Sequence, residues 1–367
     1  MKPFLRPTWA EISLPTLRSN LRRLRGRLSR RTKLMFVVKG DGYGHGALSV
    51  SRLAQRTGLA DWLGVSSVEE GAALRDGGLK LPILVLGSLY PFESFRAAAC
   101  YDLVPTVASL ESARRLAAMT RRMGRKISCH LKVETGMGRI GMSEAAALGA
   151  MEFLSGRPEV RVGGVYTHFS CAESSRLFTR AQLARFRKVL AAMQDRGMDP
   201  GLRHAANSAG MLGFPESRLD LVRPGLAAYG LCEGFDPVLT LKTKIVFIKT
   251  VKPGTPIGYG ATYRAKRRTR LATLPIGYAD GFSRGLSNRG EALVGGVRCP
   301  VAGVVSMDMT MIDVTRVKGA RVGDEVVLIG RSGKDELSAR DMARRLGTIP
   351  YEVVCGLTAR VPRVVLP

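Results

Sequence analysis

The sequence has 367 residues, enough for two domains with separate cores. Hydrophobic residues make up 45% of it, yet nothing approaches the roughly 18 consecutive apolar residues of a membrane-spanning helix, so a soluble globular chain is expected. The formal charge of +27 would attract anions, but with 6% aromatic residues and no aromatics among the arginine runs it predicts no specific nucleic-acid site.

The N-terminus, Met1 to Pro7, has no apolar core of a secretory signal and runs directly into the alternating stretch Thr8-Trp9-Ala10-Glu11-Ile12. A cytoplasmic location is expected. The six cysteines are scattered without a C-x-x-C pair, which fits free thiols in a reducing compartment and predicts no metal site. Leu17, Leu21, Leu24 and Leu28 form one stripe of a helix whose other faces carry arginines.

From residue 33 to about 224, short apolar strands alternate with amphipathic helical stretches. The strands are expected at 33–38, 61–66, 83–87, 102–106, 127–133, 162–168, 202–206 and 219–223. Helices are expected at 47–57, 67–75, 109–122, 143–155 and 175–197. Eight strand–helix units in this length predict a (β/α)₈ barrel over 1–235. A doubly wound open sheet is the alternative, but no G-x-G-x-x-G motif opens the chain. After residue 236, Gly and Pro punctuate short strands at 255–260, 269–276, 291–297, 299–305, 309–315 and 325–330, which predicts a mainly-β domain over 236–367. One helix is expected from Ser338 to Arg345, and the strand within 1–13 is a candidate to pair into this second domain.

The polar residues that stand out fall at the C-terminal ends of the expected barrel strands, the face on which such barrels place their chemistry. Lys39 and Tyr43 follow the first strand in a flexible glycine-rich turn, Arg139 follows the fifth and His168 ends the sixth. Asn207 and Ser208 follow the seventh, and Arg223 ends the eighth. Singly, Arg139 reads as a surface ion-pair partner, His168 as a satisfied barrel histidine, Ser208 as a helix N-cap and Arg223 as a structural clamp. Together they make a coherent set. Small residues around Ser208 and a backbone nest at Gly225-Leu226 suit a phosphate, and a lysine across the barrel mouth suits a Schiff base. Pyridoxal phosphate asks for both.

In order along the chain come Val37-Val38-Lys39-x-x-x-Tyr43-Gly44-His45-Gly46, Thr135-Gly136-Met137-Gly138-Arg139, Tyr166-Thr167-His168-Phe169, Ala206-Asn207-Ser208 and Val222-Arg223-x-Gly225. These are followed by Gly258-Tyr259-Gly260-Ala261-Thr262-Tyr263, Ile276-Gly277-Tyr278-Ala279-Asp280-Gly281, Ser306-Met307-Asp308, Pro350-Tyr351-Glu352-Val353 and Arg360-Val361-Pro362-Arg363. With these motifs the chain resembles the bacterial alanine racemases over essentially its full length. The resemblance implies pyridoxal phosphate as a Schiff base on Lys39, with its phosphate held by Tyr43, Ser208, Gly225, Leu226 and Tyr351. Leu86 and Asn207 would line the cofactor pocket, and Arg223, buttressed by His168, would face the ring nitrogen. It further implies Arg139 and Met307 on the substrate, Lys39 and Tyr259 as opposed bases, and Lys132, Tyr278 and Asp308 in support. Tyr259 would come from the partner subunit of a homodimer, and D-alanine would serve peptidoglycan. Lys132 matches a position that carries a carbamate in some members. The chain departs at Gly40 and Gly42, where alanines are expected, and at Ser170–Ser174, where the family has an acidic loop. Racemases of serine or another amino acid are the alternative. A cofactor-binding homeostasis protein would lack the β domain, and a barrel-plus-β decarboxylase would show a cysteine and an acidic pair there.

Overall fold

The computed structural model describes residues 5–367 and divides the chain into two compact units. The first four residues, part of the N-terminal segment read above, lie outside the described residues. The strands up to residue 222 are β1 (Thr8–Ser13), β2 (Lys33–Val37), β3 (Trp62–Val65), β4 (Ile83–Ser88), β5 (Val104–Val107), β6 (Ile127–Lys132), β7 (Val160–Tyr166), β8 (Leu202–His204) and β9 (Leu221–Val222).

The barrel unit contains β2 to β9 in one eight-stranded sheet, ordered β8-β7-β6-β5-β4-β3-β2-β9, with every ladder parallel. The sheet curls into a nearly closed barrel. Between β8 and β9 the seam is held by backbone bonds from Asp220 N to Arg203 O (3.0 Å) and from Arg223 N to Ala206 O (2.9 Å). The Arg203–Asp220 ion pair adds to it. The amphipathic stretches form helices at Leu14–Arg25, Ala47–Thr57, Val68–Asp76, Leu110–Met123, Glu144–Ser155 and Arg176–Asp195, each turning its apolar stripe inward. Ser67, Ser109, Ser143 and Ser175 cap four of them.

In the other unit, β1 pairs antiparallel with Leu239–Lys244 and parallel with Arg363–Leu366, inside a seven-stranded sheet. A three-stranded sheet (Phe247–Val251, Thr269–Leu274, Thr310–Asp313) and the short pair Pro256–Ile257 with Tyr263–Arg264 complete its strands. Asp280 is fully buried and is held by Arg6 and Arg360, at 2.6 and 3.2 Å, so one carboxylate ties the two ends of the chain within this unit.

Several local expectations need correction. The expected strand 255–260 is extended only at Pro256–Ile257, because Gly258 and Gly260 take positive φ and wind Tyr259–Ala261 into a 3₁₀ turn. The C-terminal region holds two helices rather than one. Ala339–Leu346 follows its Ser338 cap, and Pro350–Cys355 starts on a proline after an extended Ile349. Strand β7 stops at Tyr166, so His168 lies in the following loop, and β9 stops at Val222, one residue before Arg223.

Candidate active site

The glycine-rich turn after β2 has a regular conformation. From Gly40 to Gly44 every residue has positive φ, including Asp41 at 51° and Tyr43 at 54°, so Lys39–Gly44 forms a short left-handed helical turn. The glycines at 40, 42 and 44 occupy that region without a Cβ penalty. Gly42 N donates to Val38 O at 2.8 Å, and Asp41 accepts from Ala47 N at 2.8 Å. Glu70 accepts from both Gly40 N (2.7 Å) and Ser66 N (2.6 Å), binding the turn to the end of β3. Lys39 therefore begins a braced segment above the barrel.

Lys132 is the last residue of β6, buried near Arg139, Arg223 and Lys39. Burial and these cations bring its ammonium down to about 8, with only Glu134 opposing. Burial raises the Glu134 carboxyl, but the N–H groups of Gly136, Gly138, Met137 and Arg139 outweigh that and hold it below its ordinary value. The same hydrogen bonds fold the loop from which exposed Arg139 projects.

Arg223 is the centre of the barrel's polar core. It is buried and donates to His204 Nδ1 (2.8 Å), Thr167 O (2.7 Å) and Ala205 O (3.0 Å). His168 Nδ1 is 3.4 Å away, a weak contact, so the expected buttress is supplied chiefly by His204. All these partners are neutral acceptors. Burial lowers the guanidinium to about 10, and it remains charged at neutral pH. The same burial, with Arg223 next, pushes His168 and His204 well below the ordinary imidazole value. Behind His204, the ring of Tyr166 stacks at 4.8 Å and His130 lies at 2.9 Å. Gly163 and Gly164 make room for His130, since a Cβ on Gly164 would fall 2.9 Å from its Nδ1.

After β8, Asn207 caps the six-residue helix Ser208–Gly213 by accepting from Gly210 N at 2.9 Å. The N-cap reading of Ser208 thus moves one residue back. Freed of that task, Ser208 Oγ accepts from Gly225 N (3.1 Å) and Ala227 N (3.3 Å), drawing the second loop onto the first. Leu226 is half-buried beside Gly225, and half-buried Leu86 on β4 packs against Met35, Leu84 and Leu221.

The remaining expected residues lie in the other unit. Burial, then the neighbouring Cys355, Tyr351 and Cys232, raise the phenol of Tyr43, so Tyr43 and Tyr351 are neighbours. Tyr259 is 74% exposed. Exposed Tyr278 and Met307 lie on adjoining turns, joined by Tyr278 N to Ser306 O (3.0 Å) and Ala279 N to Met307 O (3.1 Å). Asp308 pairs with Arg360 at 2.6 Å. His130, His204 and Gln182 were not read from the sequence as functional. The available signal was a polar residue in an otherwise apolar, inward-facing position.

A parallel barrel with lysines and arginines at its mouth, joined in the chain to a separate β-sheet unit, defines an enzyme built to hold a small anionic ligand. Comparison with known proteins makes this specific. Residues 12–233 match the model "Alanine racemase, N-terminal domain" and residues 238–365 match "Alanine racemase, C-terminal domain". The chain is 46% identical to the alanine racemase of Symbiobacterium thermophilum, covering 98% of this chain and 97% of that one. It is 43% identical to that of Halothermothrix orenii, with 99% and 97% covered. Among solved structures, alanine racemase from Clostridium difficile superposes with a TM-score of 0.94 at 35% identity, over 99% of this chain and 97% of that one. The enzyme from a D-cycloserine-producing Streptomyces lavendulae gives 0.94 at 38%, over 100% and 98%. The chain belongs to the alanine racemase family. That family works with pyridoxal phosphate, and the barrel residues fit the group. They offer an amine on Lys39, a hydroxyl and backbone donors at Ser208 and Gly225, and in Arg223 a buried cation that pairs with no carboxylate among the described residues.

Proposed function

We propose that the protein interconverts L-alanine and D-alanine in the cytoplasm, as a homodimer with pyridoxal phosphate on Lys39, and so supplies D-alanine for peptidoglycan. The observation that carries this reading is Arg223, a buried guanidinium at the barrel mouth whose hydrogen-bond partners among the described residues are all neutral acceptors. A buried cation without a counter-ion is costly unless a ligand uses it.

When bound, the cofactor supplies an electron-withdrawing ring that acidifies the Cα–H of the amino acid. Lys39 anchors it, and in this reading Tyr43, Ser208, Gly225, Leu226 and Tyr351 hold its phosphate while Asn207 and Leu86 shape the pocket. Arg223 presents a donor that does not give up its proton, with His204 and His168 behind it. Arg139 and the Met307 N–H orient the substrate, and Lys132, Tyr278 and Asp308 support them. Inversion needs a base on each face. Lys39 Nζ exchanges the proton of the D-enantiomer, and Tyr259 Oη of the partner subunit that of the L-enantiomer.

The test is a chiral assay of the purified protein against a panel of L-amino acids, with a visible absorbance spectrum of the same sample. Alanine should be inverted fastest, and borohydride reduction should place the cofactor label on Lys39. Faster inversion of serine would reassign the substrate. A labelled Lys39 without any inversion would make the protein a cofactor binder.

A further inference from the structure

We infer that Gln182 is a positioning residue for this reaction: from the helix Arg176–Asp195 its buried amide sets the loop that carries Arg139 against the loop that carries His168. The inference rests on the proposed roles of those two loops, but its structural half stands apart from them.

Gln182 is fully buried on the inward stripe of the helix, among Thr179, Leu183, Phe186 and Val189. A glutamine there loses its water and must find protein partners. It finds four. Nε2 donates to Thr135 Oγ1 at 3.3 Å and to His168 O at 3.1 Å. Oε1 accepts from Ser170 N at 3.0 Å and Ser170 Oγ at 3.2 Å. Thr135 belongs to the loop after β6, and His168 and Ser170 to the loop after β7, so one amide bridges the two loops and also fixes Ser170, whose Oγ donates to Gly136 O at 3.2 Å across the same gap. The bridge continues inward. The Thr135 and Thr167 hydroxyls lie 2.7 Å apart, and Thr167 O accepts from Arg223 Nη2.

The same helix face forms a bed for the Arg139 loop. Arg185, three residues on, donates from Nη1 to Thr135 O at 2.9 Å. Gly136, with φ of +134°, brings its backbone so close to Phe178 that a Cβ would lie 2.9 Å from the ring. Positions 178, 182 and 185 share one side of the helix. Glu134 restrains the loop from within. Arg139 thus starts from a backbone held on both sides, and of the helix residues Phe178, Gln182 and Arg185 it is Gln182 whose side chain bonds both loops, beside the direct link from Ser170 Oγ to Gly136 O at 3.2 Å. A buried network of this kind specifies geometry because every member must be satisfied at once.

The test compares wild type, Gln182→Met and Gln182→Glu as full-length proteins loaded with pyridoxal phosphate. Methionine keeps the volume and removes all four bonds; glutamate keeps the acceptor and removes both donors. Amide exchange at 135–141 and 167–171 should quicken at least tenfold in both, while the helix interior stays protected. KM for alanine should rise at least fivefold, with kcat falling less than KM rises. Unchanged exchange in those loops, or quickening spread evenly over the barrel with KM unmoved, would overturn the inference. Should the Gln182 variants fail to fold, Thr135→Val severs the same bridge from its far end, and unchanged loop exchange there would overturn it too. A wild type without racemisation would sink the proposed function instead, and the exchange measurement would still decide whether Gln182 couples the loops.

Discussion

Arg223 donates from Nη1 to Nδ1 of His204 at 2.8 Å, and this one bond sets the proton positions through the core of the barrel. A guanidinium has no acceptor, so His204 Nδ1 must carry the lone pair and Nε2 the proton. Nε2 of His204 lies 2.9 Å from Nδ1 of His130, which therefore accepts and keeps its own proton on Nε2. Nitrogen NMR of histidine-labelled protein should find both rings as neutral Nε2–H tautomers between pH 5 and pH 8. A Nδ1–H form of either ring contradicts the relay.

Those buried imidazoles make stability depend on pH in a stated direction. Burial, then Arg223, brings His130 down to about 3, and His168 and His204 are lowered in the same sense. Above the unfolded value of roughly 6.5 both states are neutral and the shift has no effect. Below it the unfolded chain takes up protons that the folded barrel refuses, so stability falls with falling pH, down to about pH 3 for His130. From pH 6.5 to pH 5 the loss is about 2 kcal/mol for His130, at roughly 1.4 kcal/mol per pH unit, and His168 and His204 add to it in the same direction. Thermal unfolding at pH 7.5 and pH 5 should show a clear drop in Tm, and His130→Asn should be less sensitive to acid than wild type. Equal acid sensitivity would mean that His130 is protonated in the fold.

Much of this was legible from the chain alone. Each strand–helix unit carries its own period, so Leu34–Val38 and Ala47–Thr57 announce themselves locally, and the helix 47–57 begins and ends where its pattern does. What escaped depends on partners distant in sequence. Gln182 looks like one imperfection in the stripe of helix 176–195 until Thr135 and Ser170 are beside it. His204 looks like the end of a strand until Arg223 arrives from the next one. Asn207 and Ser208 are both good caps, and only the helix phase decides between them. The glycines at 40–44 announce a turn, but that their spacing gives one of regular, opposite hand shows only in the backbone angles.

That turn yields a contrast between two glycines. Gly44 and Gly46 both have positive φ, at 77° and 85°. A Cβ on Gly44 would fall 2.2 Å from Val354 O, whereas nothing lies within 4 Å of one on Gly46. Gly46→Ala should cost about 1 kcal/mol, the conformational penalty alone. Gly44→Ala adds a backbone collision and should cost about 2–5 kcal/mol. Urea denaturation of the two variants measures the difference, and similar midpoints would show that the Val354 carbonyl yields.

Lys132 should titrate near 8, within reach of ordinary experiments. Arg139 is the largest cause after burial, so Arg139→Gln should move the amine back toward its usual value. The rate at which Lys132 is acylated, followed against pH by mass spectrometry, reports the neutral fraction. If the variant gives the same profile, Arg139 does not act on the amine, and burial with the remaining cations Arg223 and Lys39 depresses it.

Tyr259 carries the sharpest prediction because its surroundings give it no structural task. An aromatic side chain left 74% exposed gains little from burial in its own unit. Its 3₁₀ turn nonetheless packs closely within the unit: Gly258 has φ of 73°, and a Cβ there would meet Met311 Cε at 3.1 Å and Val304 N at 3.2 Å. A phenol presented in this way fits a group that works on a partner subunit. Tyr259→Phe keeps the ring and removes only the hydroxyl. A general base contributes roughly 10²–10⁴-fold, so deuterium uptake at Cα of L-alanine should fall by about that factor. The change in visible absorbance when alanine is added should persist at concentrations within a few-fold of wild type, because binding does not need the proton. Uptake from D-alanine, assigned to Lys39, should fall less. Equal loss in both directions, or loss of the absorbance change as well, would make Tyr259 part of the scaffold and leave the second face of the substrate without its base.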